Sequence, residues 1–255
     1  MNDLLAAKTR LSGGLFTAAD ALACGYDRQS LHRLSTKGTV VRIGRGAYAA
    51  RSALAETSQE QRHRLATRAV VHRFAGRVAA SHYSALVVLG LPVWHACLDR
   101  VHVARTGNGP NRRSTALSVH RDYGDQACKP VDGTLCVVPA LAVLGTAMLC
   151  GVEAGVVAAD AALARVTVTE VELHRWLDRL VRHPSLPAAR LAVDLADGRS
   201  ESPGESRTRL VLRSMELGTP VPQVEIRDDD GHLVGRVDLL YEAQRTVVEF
   251  DGSVT

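Results

Sequence analysis

Cysteine is scarce and unpatterned in this sequence. Cys24, Cys97, Cys128, Cys136 and Cys150 are odd in number, and none stands in a Cys-x-x-Cys arrangement. That excludes a disulfide framework and gives no thiolate zinc spacing, so the five read as reduced, mostly buried thiols. Lysine is scarcer still, with Lys8, Lys37 and Lys129 against 28 arginines, a bias no folding rule demands. Aromatic residues make up only 4% of the chain. There is no internal repeat and no recognisable signal peptide, so a cytoplasmic protein is expected. One stretch lacks charge altogether, residues 133–152. Its length would span a bilayer, but Pro139, Gly145 and Gly151 interrupt it and no basic cluster flanks it. It reads as a buried strand, Thr134–Val138, and a buried helix opened by Pro139.

What remains is an ordinary globular composition, 46% apolar and 23% charged over 255 residues. Disordered, collagenous and coiled-coil chains are thereby excluded. Such a length allows one large domain or two to three small ones and buries roughly three-quarters of the unfolded surface. The net charge of +4 hides an asymmetry: residues 1–150 carry 19 basic and 9 acidic side chains, residues 151–255 carry 12 and 18. The basic half points to a polyanionic partner.

Residues 15–50 carry the densest local signals. Thr17 with Asp20 predicts a capped helix over 18–24, stopped by Gly25. Asp27 caps a second helix, Arg28–Lys37, whose Leu31 and Leu34 share a face and which Gly38 ends. Thr39–Ile43, the turn Gly44-Arg45-Gly46 and Ala47–Ala50 form a hairpin. Two short helices and a hairpin are the layout of a winged helix-turn-helix. Arg28, Gln29, Ser30, His32, Arg33 and Lys37 are then the candidate DNA contacts on the second helix. The first ones would meet base edges, Arg33 and Lys37 phosphates, and Arg42 and Arg45 would touch DNA from the wing. The plain alternative is solvated charge on a helix–hairpin packing unit.

The middle predicts helices from Ser58 to about Ala75, from Ser81 to Leu89, and over 140–149, 152–164 and 170–181, with strands at 100–104, 116–120 and 134–138. His82 stands in Ser81-His82-Tyr83-Ser84, but no nucleophile elbow or third partner accompanies it, and a helix-capping role accounts for Ser81. After a linker near Asp197-Gly198-Arg199, Ser202 caps a helix running to Gly218. Strands follow at Val221–Ile226, Leu233–Tyr241 and Thr246–Phe250, with Asp228-Asp229-Asp230-Gly231 as a turn. Glu205, Asp238, Glu249 and Asp251 form the sharpest constellation. Carboxylates converging from a helix and adjacent strands suit Mg²⁺, with Asp238 and Glu249 as ligands, and such a metal activates water against a phosphodiester. Each has a bland reading too: Glu205 completing a capping box, Asp238 pairing with Arg236, Glu249 and Asp251 ending a strand at the surface.

The stretch from Leu15-Phe16-Thr17-Ala18-Ala19-Asp20-Ala21 to Arg45-Gly46-Ala47-Tyr48 resembles the winged-helix domain of AbiEi-type antitoxins of type IV toxin–antitoxin systems. Ala80-Ser81-His82-Tyr83-Ser84-Ala85 with Gly90-Leu91, and Val138-Pro139-Ala140, are similar to the middle region of those proteins. Ser200-Glu201-Ser202-Pro203-Gly204-Glu205-Ser206, Gly235-Arg236-Val237-Asp238-Leu239 and Val248-Glu249-Phe250-Asp251-Gly252 resemble the start of a Vsr-like endonuclease of the PD-(D/E)xK class. The resemblance implies an α+β chain of three parts: a winged helix at 1–55, a mixed α/β domain at 56–197, and a truncated endonuclease-like domain at 198–255. It implies a regulator that binds double-stranded DNA without a cofactor, partnered by a nucleotidyltransferase-type toxin and not by a membrane. The alternative it implies is a Mg²⁺-dependent endonuclease using Glu205, Asp238 and Glu249 beside Asp251. Asp251 stands where the class has Lys, and the family continues past Gly252, so impaired cleavage and self-association through an open strand edge are expected.

Overall fold

The computed structural model describes residues 1–11, 14–44, 46–54, 57–180, 183–215 and 217–251. By packing, the chain falls into two units, Met1–Gly90 with Cys97–Val138, and Leu91–Ala96 with Pro139–Thr255. Both mix helices with antiparallel or mixed sheet, so the fold class is α+β.

The first unit opens with α1 (Asp3–Leu11), β1 (Leu15–Thr17), α2 (Ala18–Ala23), α3 (Arg28–Thr36), β2 (Val40–Gly44) and β3 (Ala47–Ala50). The strands pair in the order β1-β3-β2, all antiparallel, which is the winged-helix topology. Both capping boxes form: the Thr17 hydroxyl accepts the Asp20 N–H at 3.0 Å while Asp20 accepts the Thr17 N–H at 2.8 Å. Asp27 and Ser30 do the same for α3. Gly25 and Gly38, at φ +87° and +71°, turn the chain sharply after α2 and α3. Leu5, Phe16, Ala21, Leu31 and Val40 form the core, joined by Leu34 and Tyr48. Each large side chain buried there contributes roughly 1.5–3 kcal/mol. Helix α1 had no sequence signal; its buried Leu5 and the Lys8–Asp20 ion pair at 2.8 Å hold it in place.

After α4 (Arg51–Leu54), α5 (Gln59–Arg73) packs on both sheets of this unit. The second sheet contains β4 (Val78–Ala80), β5 (Val101–Arg105), β6 (Arg112–Arg113), β7 (Leu117–His120), β8 (Cys128–Val131) and β9 (Thr134–Val137), with α6 (His82–Leu89) following β4. Its six strands run β6-β7-β5-β4-β9-β8, parallel at β5–β7 and β4–β9 and antiparallel elsewhere. Ser81 occupies the cap position of α6 yet makes no side-chain cap bond, contrary to the expected capping serine. Burial, with His120 and Arg100 nearby, pulls His102 in β5 down to about 3.

The second unit contains α7 (Pro139–Cys150), α8 (Val152–Ala164), α9 (Glu170–Arg179), α10 (Leu186–Asp194), α11 (Pro203–Ser214), β10 (Val221–Arg227), β11 (Leu233–Tyr241) and β12 (Thr246–Val248), the last three an antiparallel meander. The uncharged stretch thus becomes β9 and α7, and no helix among the described residues is long and apolar enough to cross a membrane. Helices α7, α8 and α10 meet through small residues: a Cβ on Gly155 would lie 2.4 Å from that of Ala147 and 2.7 Å from that of Ala192. Arg209 of α11 reaches Asp160 of α8 at 2.7 Å, both almost fully buried, and Asp160 also accepts the Asp197 N–H at 2.7 Å. These ties link α11 and the Asp197 turn to α8 within the second unit. Only Cys136 of the five free thiols is buried, where burial pushes it up to about 12, and Cys97 is exposed. The expectation of mostly buried cysteines is corrected accordingly.

Candidate nucleic-acid interface

Helix α3 is amphipathic because Leu31 is buried and Leu34 partly so, and the opposite face is left to polar side chains. Arg28, Gln29, His32, Arg33 and Lys37 are all exposed. They bring four basic or titratable groups and one amide to one surface of the winged helix. Ser30 is half-buried and its hydroxyl is engaged with Asp27, donating to the Asp27 carboxylate at 2.5 Å and accepting the Asp27 N–H at 2.9 Å. It therefore sets the start of α3 instead of reaching outward. Asp27 is held below the usual carboxylate range by the Ser30 hydroxyl and N–H, with Arg33 adding to the effect. Its negative charge at the helix N-terminus matches the helix dipole. Arg42 is exposed on β2, while Arg45 lies outside the described residues. An arginine-bearing helix and hairpin on one small scaffold can meet a phosphate backbone and insert side chains into an adjacent groove.

The acidic constellation assembles in the second unit. Glu205, in the first turn of α11, is buried, and its carboxylate accepts the Glu201 N–H and the Gln223 amide, each at 2.9 Å. The Gln223 amide also donates to Asp238 at 3.3 Å, and the other Asp238 oxygen accepts the Phe250 N–H at 2.8 Å. Glu249 accepts the Asp238 N–H at 3.4 Å. Asp251 is exposed. The structure thus brings Glu205, Asp238 and Glu249 together. It revises the bland readings of Glu205 and Asp238, while Glu249 and Asp251 are exposed just past the end of a strand, as their bland reading has it. Ser202 does cap α11, accepting the Glu205 N–H at 3.1 Å, but the Glu205 side chain turns to Gln223 and completes no box. Arg236 pairs with Glu201 at 2.8 Å and not with Asp238. Strand β12 stops at Val248, earlier than expected, because the Phe250 N–H leaves the ladder for Asp238.

Gln223 is the member that sequence reasoning missed. It sits opposite Asp238, between the paired Pro222–Leu239 and Val224–Val237, with φ +55°. That left-handed backbone is uncommon for a residue with a Cβ, and it breaks the ladder where the amide meets the acids. Gly204 is the second missed feature: a Cβ there would lie 1.9 Å from the Phe250 ring. Only glycine lets that ring lie against the first turn of α11. As for Mg²⁺, an amide N–H donor already stands between Glu205 and Asp238, so a cation would have to displace or flip Gln223. Among the described residues, ligand atoms that converge within 4.8 Å belong to two other groups, His82/His102/His120 and the exposed Asp228/Asp230/His232.

Known proteins are similar to this chain. Two Mycobacterium tuberculosis proteins described as uncharacterized, MT2308 of strain CDC 1551 / Oshkosh and Rv2248 of strain ATCC 25618 / H37Rv, are each 28% identical over 142 residues. The match covers 55% of this chain and 51% of each relative, so the chain spans about half the length of the curated relatives it matches. The crystal structure of the RV2827C protein from Mycobacterium tuberculosis aligns with a TM-score of 0.45 at 18% identity, covering 86% of this chain and 83% of that one. Residues 3–51, which are α1 to β3 and the basic face of α3, match the family described as transcriptional regulator, AbiEi antitoxin.

Proposed function

We propose that this protein is a DNA-binding transcriptional regulator of the antitoxin kind, reading an operator through α3 and the β2–β3 hairpin. The observation that carries it is the exposed basic face of α3 on a segment that matches a regulator family. On this reading Arg28 and Gln29, which open α3, contact base edges, and Arg33, Lys37 and Arg42 contact phosphates. No cofactor enters this reading. A nucleotidyltransferase-type toxin encoded beside the regulator is the partner that the antitoxin reading brings with it.

The test is fluorescence anisotropy of the full chain on duplex DNA at several salt concentrations. Binding whose logarithm falls linearly with that of salt is expected. Combined replacement of Arg28, Arg33, Lys37 and Arg42 by Ala should lower affinity and flatten that slope by about one for each phosphate left without its cation. A folded chain with no salt-dependent binding to any duplex, including selected ones, would sink the reading.

A further inference from the structure

Three histidines converge on the six-stranded sheet from separate segments of the chain. His82 opens α6 directly after β4, His102 lies within β5, and His120 closes β7. In the parallel β5–β7 pair His102 is opposite Ser118 and Ala104 opposite His120, so the two histidines are two positions apart on one face. On the other side the Ser81 N–H donates to the His102 carbonyl at 3.0 Å, which sets His82 beside them. His102 Nδ1 and His120 Nε2 are 2.9 Å apart, and the His82 and His120 rings stack with centroids 3.9 Å apart. One nitrogen of each ring lies within 4.8 Å of the other two.

The surroundings hold these rings in place. His82 has φ +52°, a conformation that costs on the order of 1–3 kcal/mol in a residue with a Cβ and is kept where a site requires it. Ser81 is fully buried, and its hydroxyl meets His82 Nδ1 at 3.0 Å instead of capping α6. An outer contact to one ring nitrogen is how a ligand histidine is commonly oriented. Ser84 accepts the His102 N–H at 2.9 Å and meets His63 Nε2 at 2.8 Å, while His63 Nδ1 lies 2.6 Å from the Leu98 carbonyl. The carbonyl only accepts, so His63 carries its proton on Nδ1 and its Nε2 accepts from the Ser84 hydroxyl. His82 and His102 are buried and His120 is half-buried, which gives the cluster a route to solvent.

We propose that His82, His102 and His120 bind one divalent transition-metal ion of the Zn²⁺ class through three imidazole nitrogens, leaving a fourth position to water. Three imidazoles with no carboxylate suit Zn²⁺, Co²⁺, Ni²⁺ or Cu²⁺ and not Mg²⁺ or Ca²⁺. The site stands apart from the DNA-binding reading and does not depend on it.

The experiment is titration of the full chain, stripped with EDTA, with Co²⁺ followed by its visible d–d absorption, then displacement with Zn²⁺. One equivalent giving a tetrahedral-type spectrum, displaced by Zn²⁺, is expected, with a melting temperature that rises with free Zn²⁺. His102→Gln and His120→Gln should both abolish it, and Ser81→Ala should weaken it about 10- to 100-fold. His232→Ala, which removes the exposed Asp228/Asp230/His232 group, should leave it unchanged. No saturable binding in the unaltered chain overturns the proposal. So does full binding by a folded His120→Gln chain, or loss of the signal in His232→Ala. If the buried His102→Gln chain does not fold, His120→Gln decides alone, since its ring is half-exposed.

Discussion

The two charged constellations read from the sequence are built in opposite ways. On α3 the cationic side chains face solvent, and the only apolar demands on the helix are Leu31 and Leu34 on its other face. In the acidic cluster the carboxylates face protein donors, with Gln223 bridging Glu205 and Asp238 and main-chain N–H groups taking further oxygens. A charge left in water costs the fold little and stays available to a partner. A charge turned inward must be met by donors, and those donors become part of the fold's stability. Substitutions should therefore separate the two regions, with stability responding inside the second unit and binding responding on α3.

The extreme inward case is Asp160 with Arg209. Burial raises the Asp160 carboxyl above its usual range, even though Arg209 and the Asp197 N–H pull the other way. Asp160→Ala would leave the Arg209 guanidinium buried with, among the described residues, the Leu195 carbonyl, at 2.7 Å, as its remaining acceptor. A loss of about 3–5 kcal/mol is expected in denaturant unfolding. Replacing both residues by apolar ones of similar volume should recover most of it, and equal losses in single and double variants would contradict the ion-pair account.

Gln223→Ala is the next largest. Removing the shared amide leaves Glu205 and Asp238 short of a donor, for a loss of roughly 1–3 kcal/mol in EDTA. If the carboxylates are a Mg²⁺ site in waiting, Mn²⁺ should restore part of that loss in the variant and stabilise the unaltered chain much less. Metal-dependent plasmid nicking that Asp238→Asn abolishes would instead revive the endonuclease reading.

Legibility followed the range of the interaction. The α2 and α3 starts and the β2–β3 hairpin were readable because caps, glycines and alternation are local. The uncharged stretch was readable as β9 and α7 because Pro139 divides it. Strand β8 escaped notice since it is short and carries Lys129 and Pro130, both exposed, on a sheet edge where proline is tolerated. Helix α1 escaped because its fixing contacts come from elsewhere: Asn2 donates through its side-chain amide to the Cys24 carbonyl at 2.9 Å, and Lys8 pairs with Asp20. The carboxylates were findable as unusual acids in an apolar strand, but Gln223 was not, since its role rests on a positive φ and a cross-strand position. The histidines are farther from legibility still, because only the parallel β5–β7 register sets His102 beside His120.

At the start of α2 the two kinds of charge meet. Burial alone would raise the Asp20 carboxyl, but Lys8 and the Thr17 N–H and hydroxyl outweigh it and hold it below its usual range. A depressed carboxylate contributes stability above its unfolded-state value, and that contribution drains away as pH falls through the lower folded value. Lys8→Met should flatten this acid limb of the melting curve. Thr17→Ala should cost about 1 kcal/mol at neutral pH through loss of the cap. An acid limb unchanged by Lys8→Met would remove the Lys8–Asp20 tie from the account.

The smallest effect on stability belongs to α3 itself. Arg28→Ala, Gln29→Ala and Arg33→Ala change exposed side chains on a helix whose start is set by Asp27 and Ser30, so each should stay within about 0.5 kcal/mol of the unaltered chain. Their effects on DNA should differ in kind. Without the Arg33 guanidinium one phosphate goes unneutralised, which should weaken all duplexes alike and reduce the salt slope by about one. On the proposed reading Arg28 and Gln29 instead meet base edges, worth about 1–3 kcal/mol of discrimination, so without either the preferred duplex should weaken while random duplexes bind nearly as before. Ser30→Ala separates the two roles further: it removes the hydroxyl that meets Asp27, so it should lower stability by a few tenths of a kcal/mol or more while leaving sequence preference intact. Anisotropy on preferred and random duplexes, read beside thermal melts of the same preparations, checks all four. If Arg28→Ala and Arg33→Ala weaken preferred and random duplexes by the same factor, α3 does not lie in the groove by its N-terminal end, and the contact surface has to be redrawn around the hairpin.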